Sequence, residues 1–188
     1  MIARIGAVAL AAAFGGCAGA PPAKTYDLSA ATATARPARH PQLAVAEFSA
    51  AAPLAGDRIL VRVAPDRIAH LAGAQWSEDL PALVRRRLVQ SFQNAGWLGA
   101  VTPAGGASAA DVELVGEIRT FEIDAATKVA TVDVSVQLVS AGSGRIRAAK
   151  LFDANAQAAS TAPDDVAPAL DRALGDDLRA IVSWTSGR

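Results

Sequence analysis

The chain has 188 residues, with 18 basic and 18 acidic side chains and a formal net charge of zero. No basic stripe is available to neutralise phosphates, which argues against a nucleic-acid partner, and a single cysteine excludes an intrachain disulfide and a cysteine-based metal site. The length suits one domain with a real core; alanine inflates the hydrophobic fraction of 52%, while aromatics make up only 5%.

Arg4 comes first, followed by an apolar run from Ile5 to Phe14, two small residues (Gly15 and Gly16) and Cys17. This is the order of a secretory signal segment. It resembles a bacterial lipoprotein signal, in which the lipobox cysteine takes a diacylglycerol and becomes the new N-terminus. A thiol is the nucleophile that accepts the lipid, and small residues before it admit the peptidase; Phe14 departs from the commoner leucine. The run is shorter than the ~20 residues a membrane-spanning helix needs, whereas two or more acyl chains give stable attachment to a surface. The expected division is a signal peptide over 1–16, a lipidated tether over 17–25 containing Pro21-Pro22, and a folded domain over 26–188. Ala18, standing where aspartate retains such proteins in the inner membrane, favours a lipid anchor on the periplasmic face of the outer membrane.

Tyr26-Asp27-Leu28 reads as a first short strand, and Ser29 to Pro41 as an exposed connection. Leu43 to Phe48 and Arg58 to Val63 have strand character and are expected to pair as a hairpin across the turn residues Pro53 to Gly56. Ser77 to Ala95 predicts a helix: Ser77 can cap it, Glu78 and Asp79 suit its first turn, and Pro81 is close enough to the start to be tolerated. Leu80, Leu83, Val84, Leu88, Phe92 and Ala95 recur on one face, and Gly96 is the expected stop. Thr102 to Ala110 reads as a flexible loop. Val112 to Ile123 predicts a strand. Lys128 to Val139 alternates, with Ala130, Val132, Val134, Val136 and Leu138 on one side and Thr131, Asp133, Ser135 and Gln137 on a wet one. Ala141-Gly-Ser-Gly144 turns the chain into a partner strand over Arg145 to Ala156, in which Leu151-Phe152 suggests a bulge or a switch of face. Asp164 to Thr185 predicts a second helix with Val166, Leu170, Leu174, Leu178, Ile181 and Val182 inward. The fold class expected is α+β: a mostly antiparallel sheet with two amphipathic helices packed on one face, preceded by a cleaved lipoprotein signal peptide.

Little in the sequence speaks for catalysis. His40 and His70 are far apart, no metal-ligand spacing occurs, and the glycines at Gly105-Gly106 and Gly142 to Gly144 lack the pattern of a phosphate loop. The reading is a non-enzyme without cofactor or metal. Trp76, Trp97 and Trp184 plug the ends of a helix–sheet core, or Trp76 with the His70–Asp79 segment (His70, Trp76 and Asp79 foremost) forms a partner-binding surface, since aromatics are enriched in interface hot spots. Arg85-Arg86-Arg87 reads as a solvated helix face, with a specific acidic contact as the alternative.

The lipobox, Tyr26-Asp27-Leu28, the Asp57-Arg-Ile-Leu-Val61 strand, His70 to Pro81 entering a helix that ends Asn94-Ala-Gly-Trp97, and the closing Ile181-Val-Ser-Trp184 stand in an order that resembles the ABC-type transport auxiliary lipoprotein family, the PqiC-like lipoproteins. Where that family usually carries tyrosine ahead of the helix-entry tryptophan, this chain has His70-Leu71. The resemblance implies a non-enzymatic partner of an ABC transporter (permease and ATPase) whose periplasmic component carries MCE domains. Such a lipoprotein docks the MCE protein at the outer membrane for transport of lipid or other hydrophobic molecules, and homo-oligomers are expected. The alternative is a stand-alone envelope lipoprotein that binds a small apolar ligand.

Overall fold

The computed structural model describes residues 22–32, 41–105 and 109–187. The signal segment, Cys17 and His40 lie outside the described residues.

One strand organises the sheet. β7 (Val112–Asp124) is 13 residues long and buries Val112, Leu114, Ile118, Phe121 and Ile123. Along one edge it pairs antiparallel with β8 (Val129–Ser140), which pairs antiparallel with β9 (Ile146–Gln157). Its other edge is shared end to end by three shorter strands, all parallel to it. These are β2 (Leu43–Val45), β3 (Ser49–Ala50) and β4 (Arg58–Ala64). β4 turns back into β5 (Arg67–Trp76), and β5 pairs parallel with β1 (Lys24–Tyr26). β6 (Val101–Pro103) lies parallel to β2. The sheet is therefore mixed, which corrects the mostly antiparallel expectation. Parallel pairing needs a long crossover, and the passage from β4 through β5, the first helix and β6 to β7 supplies it.

The two helices match their sequence periodicity. α1 (Leu80–Phe92) and α2 (Pro163–Ser186) bury every residue of the two expected stripes. α2 packs on β8 and β9, and α1 on α2 and β6. The end of α1 widens into a single π turn, Gln93–Trp97, and Gly96 at φ +94° stops it, a backbone conformation that side chains disfavour.

Several local expectations are corrected. The strands Leu43–Val45 and Arg58–Ala64 do not pair with each other; each pairs with β7. β1 begins at Lys24, inside the expected tether, and ends at Tyr26, so Leu28 of the expected first strand lies beyond it, buried, and Ala31 of the expected exposed connection is buried too. Ser91 Oγ accepts the Ala31 amide at 2.9 Å, which holds that segment on α1. Ser77 does not cap α1; its hydroxyl donates to Asp27 at 3.2 Å, and Asp79 takes the cap position without a side-chain bond. Leu151-Phe152 carries no bulge: Phe152 faces inward opposite Val134 and Leu151 faces out, in unbroken register. The loop expected from Thr102 begins as β6.

A close approach fixes β3 to β7. The Phe48 ring lies on Gly116, where an added Cβ would stand 2.2 Å from the ring. Gly116→Ala should therefore destabilise the fold by ~1–3 kcal/mol, as over-packing does. Chemical denaturation should show a smaller cost for the same change in a Phe48→Leu background, because the two sites share one contact.

Candidate functional site

The sequence places its partner-binding candidates between His70 and Asp79, and the structure divides them. Trp76 is 1% exposed, with its indole edge-on to Phe121 at 5.7 Å between centroids. Trp97 meets Phe92 at 5.2 Å and Trp184 meets Phe152 at 5.7 Å, so all three tryptophans pack in or against the core. Asp79 is exposed at the entry of α1, where its carbonyl accepts the Leu83 amide at 3.0 Å. His70 is exposed on β5, away from the buried end of that strand.

His70 belongs to a hairpin that is anchored only at its base. In β4, Ile59, Leu60 and Val61 are buried; in β5, residues 67–70 are all exposed, and burial resumes at Ala74. Between the pairs Arg58–Gln75 and Leu60–His70 a single β4 residue faces four on β5. This wide bulge needs Gly73 at φ +69°. The bulge breaks the alternation, and for that reason periodicity alone does not reveal β5. Arg62 clamps the arm to the sheet through a two-pronged ion pair with Glu122 and a 3.0 Å bond to the Pro65 carbonyl.

The arm carries exposed Val63 and Ile68 near its tip. A groove of about 530 Å3 runs along its base, walled by Pro53, Arg58, Leu60, Ile68 and His70. Among the described residues no strand pairs with the outer edge of β5 before Ala74, since β1 covers only Ala74 to Trp76. An unpaired strand edge beside apolar side chains is a template for an added strand. It offers recognition. Among the described residues no cluster of histidine, cysteine and carboxylate could hold a metal ion, and no helix is long and apolar enough to cross a membrane.

The three consecutive arginines are not the solvated face expected. Arg87 has a side chain only 13% exposed and binds Asp27 and Gln90; Arg86 binds Glu78 and reaches Asp27 at 3.5 Å; Arg85 reaches Glu47 at 3.9 Å. They tie the segment after β1 to α1. The Arg87 guanidinium and the Leu28 amide outweigh the desolvation of Asp27 and hold its carboxyl below the ordinary range.

Sequence reading missed Asp177. It sits on the inward face of α2 in phase with Leu170, Leu174 and Ile181, a visible break in the apolar stripe. It is 2% exposed, and among the described residues its Oδ2 meets no hydrogen-bond donor. Burial, with the like charges of Asp153 on β9, Asp133 on β8 and neighbouring Asp176, pushes its carboxyl up to about 7. The native state thus keeps a proton that the unfolded chain gives up above the ordinary value of 3.8. This group's contribution to stability is fully present below that value and is lost as pH rises through about 7. Denaturation midpoints should accordingly fall between about pH 5 and about pH 8, and Asp177→Asn should flatten that slope, on the order of 1–3 kcal/mol.

The body is α+β, with a curled mixed sheet, two packed helices and one hairpin arm anchored only at its base. Residues 26–182 match the family of ABC-type transport auxiliary lipoprotein components, and the chain belongs to that family. An uncharacterised protein of Bradyrhizobium diazoefficiens is 29% identical over 172 residues, covering 89% of this chain and 46% of its own length. The chain thus spans about half the length of this curated relative. A crystal structure from Xanthomonas campestris aligns with TM-score 0.73 and 27% identity over 87% of this chain and 96% of that one. A PelC dodecamer from Paraburkholderia phytofirmans shares the fold with TM-score 0.52 and 14% identity, over 84% of this chain and 95% of that one.

Proposed function

We propose that this chain is a lipid-anchored periplasmic auxiliary lipoprotein of an MCE-type ABC transport system. Cys17 carries the acyl anchor and holds the chain on the periplasmic face of the outer membrane. The domain docks the MCE-domain periplasmic protein there, and the permease and ATPase of the same system drive movement of lipid or another hydrophobic molecule. The reading rests on the family match across residues 26–182. The order Arg4, apolar run, Gly15-Gly16-Cys17 supports the anchor, and the hairpin arm with Ile68, His70 and its open edge supports docking. The shared fold of a dodecameric neighbour favours assembly with further copies of this chain.

Capture of an MCE-domain periplasmic protein from the same organism tests the docking. Wild type should retain it, and Ile68→Asp should weaken capture about tenfold or more, as loss of an apolar hot spot does; equal capture by both removes the arm from the interface, and no capture by wild type sinks the reading. Membrane fractionation tests the anchor separately. Cys17→Ser should leave the outer membrane, and normal recovery there would refute acylation at that sulfur.

A further inference from the structure

A second site lies where β9 begins, remote in sequence from the hairpin arm. A cavity of about 180 Å3, partly open to solvent, is walled by Leu43, Trp97, Val112, Leu138, Arg147 and Thr185, among others. Four of these are apolar or aromatic and almost wholly buried. Thr185 is 5% exposed, and among the described residues its hydroxyl meets no hydrogen-bond partner. A helical threonine commonly bonds the carbonyl one turn back, so an idle hydroxyl in this wall is a vacant polar contact.

Arg147 reaches the cavity through a defect in the sheet. Leu138 pairs with Ala148 and Val139 with Ile146, which leaves Arg147 as an extra residue between two rungs. Regular alternation would send Arg147 and Ala148 to opposite faces, yet both line the cavity. The bulge re-aims the arginine, as bulges do beside functional sites. The structure gives Arg147 no ion pair or hydrogen bond with any described residue, and it is exposed at the rim.

A dry apolar cavity of ~150 Å3 accepts a ring of six carbons, so this space suits the end of an alkyl chain and not a whole phospholipid. We propose that the cavity binds a single-chain anionic amphiphile. The alkyl end fills the space between Leu43, Val112 and Leu138, and Arg147 at the rim, with the Thr185 hydroxyl as a further donor, holds the carboxylate or phosphate. The site does not rest on the docking reading and would stand if that reading failed.

Titration of the mature chain, residues 17–188 carrying Cys17→Ser and produced without the signal segment, tests it by calorimetry and by the fluorescence of Trp97 in the wall. Decanoate and lysophosphatidylglycerol, each below its micellar concentration, represent the carboxylate and phosphate sources; decanol is the uncharged control. At least one anion should bind about tenfold more tightly than decanol, a difference of about 1.4 kcal/mol. Arg147→Gln should erase that preference and leave decanol binding unchanged, and Leu138→Trp should abolish binding of all three. The site is refuted if neither anion binds, if Arg147→Gln keeps the preference, or if a folded Leu138→Trp binds as wild type does. Arg147 is on the surface, so its variant decides the matter should Leu138→Trp fail to fold.

Discussion

The pairing of β7 on both edges is the constraint on which the rest of the structure depends. One edge carries the antiparallel ladder to β8, and the other is divided among β2, β3 and β4, all parallel. Three short segments from the first third of the chain can be held in one line only because a single long strand gives them a common template. Phe48 packed on Gly116 sets where β3 lies along that line. α2 then packs on β8 and β9, the sheet that β7 anchors, and α1 leans on α2. Burial of the apolar side chains between them dominates the favourable free energy, since apolar area removed from water is the largest folding term.

Polar interactions finish what this burial leaves open, chiefly at the N-terminal segment. Lys24 Nζ and Tyr26 Oη both donate to Asp164 at 2.6 Å, at the start of α2. Asp27 is gripped by Arg86 and Arg87 of α1, and the Ser29 amide donates to Asp171 at 2.6 Å. Four of the six positions from Lys24 to Ser29 thereby bind both helices. Individually such exposed pairs contribute little; arranged in sequence they fix the path by which the chain enters its domain. The free hairpin arm and the Arg147 cavity lie outside this stitched region, where the sheet departs from regular pairing.

Much of this was legible in the residues. The stripes of α1 and α2, the alternation of β8 and the Gly142–Gly144 turn were read correctly because each is a local pattern with a fixed period. What escaped is non-local. Nothing in Leu43–Val45 or Arg58–Ala64 says that each will pair with residues about sixty to seventy positions away and not with the other, because register and partner are set by the whole sheet. β5 escaped because the Gly73 bulge destroys its alternation, and the arginine cluster was misread because its acidic partners lie on other elements. Asp177 and Arg147 are the reverse case: each violates a pattern otherwise kept, and such violations are where function and strain collect. Of the candidate site, His70 was named from sequence, while the open edge beside it and the re-aimed Arg147 required the pairing table of the strands.

β1 has one further consequence. It is three residues long and lies parallel to β5, opposite Ala74 to Trp76, with Lys24 and Tyr26 also bonded to α2. Tension applied through the residues before Lys24, along the strand, loads these rungs together in shear and does not peel them open one after another. The strain passes into Trp76 and the core beneath it. Held through Cys17 as proposed, the body would be gripped at the point where that load enters, and the load would bypass the hairpin arm.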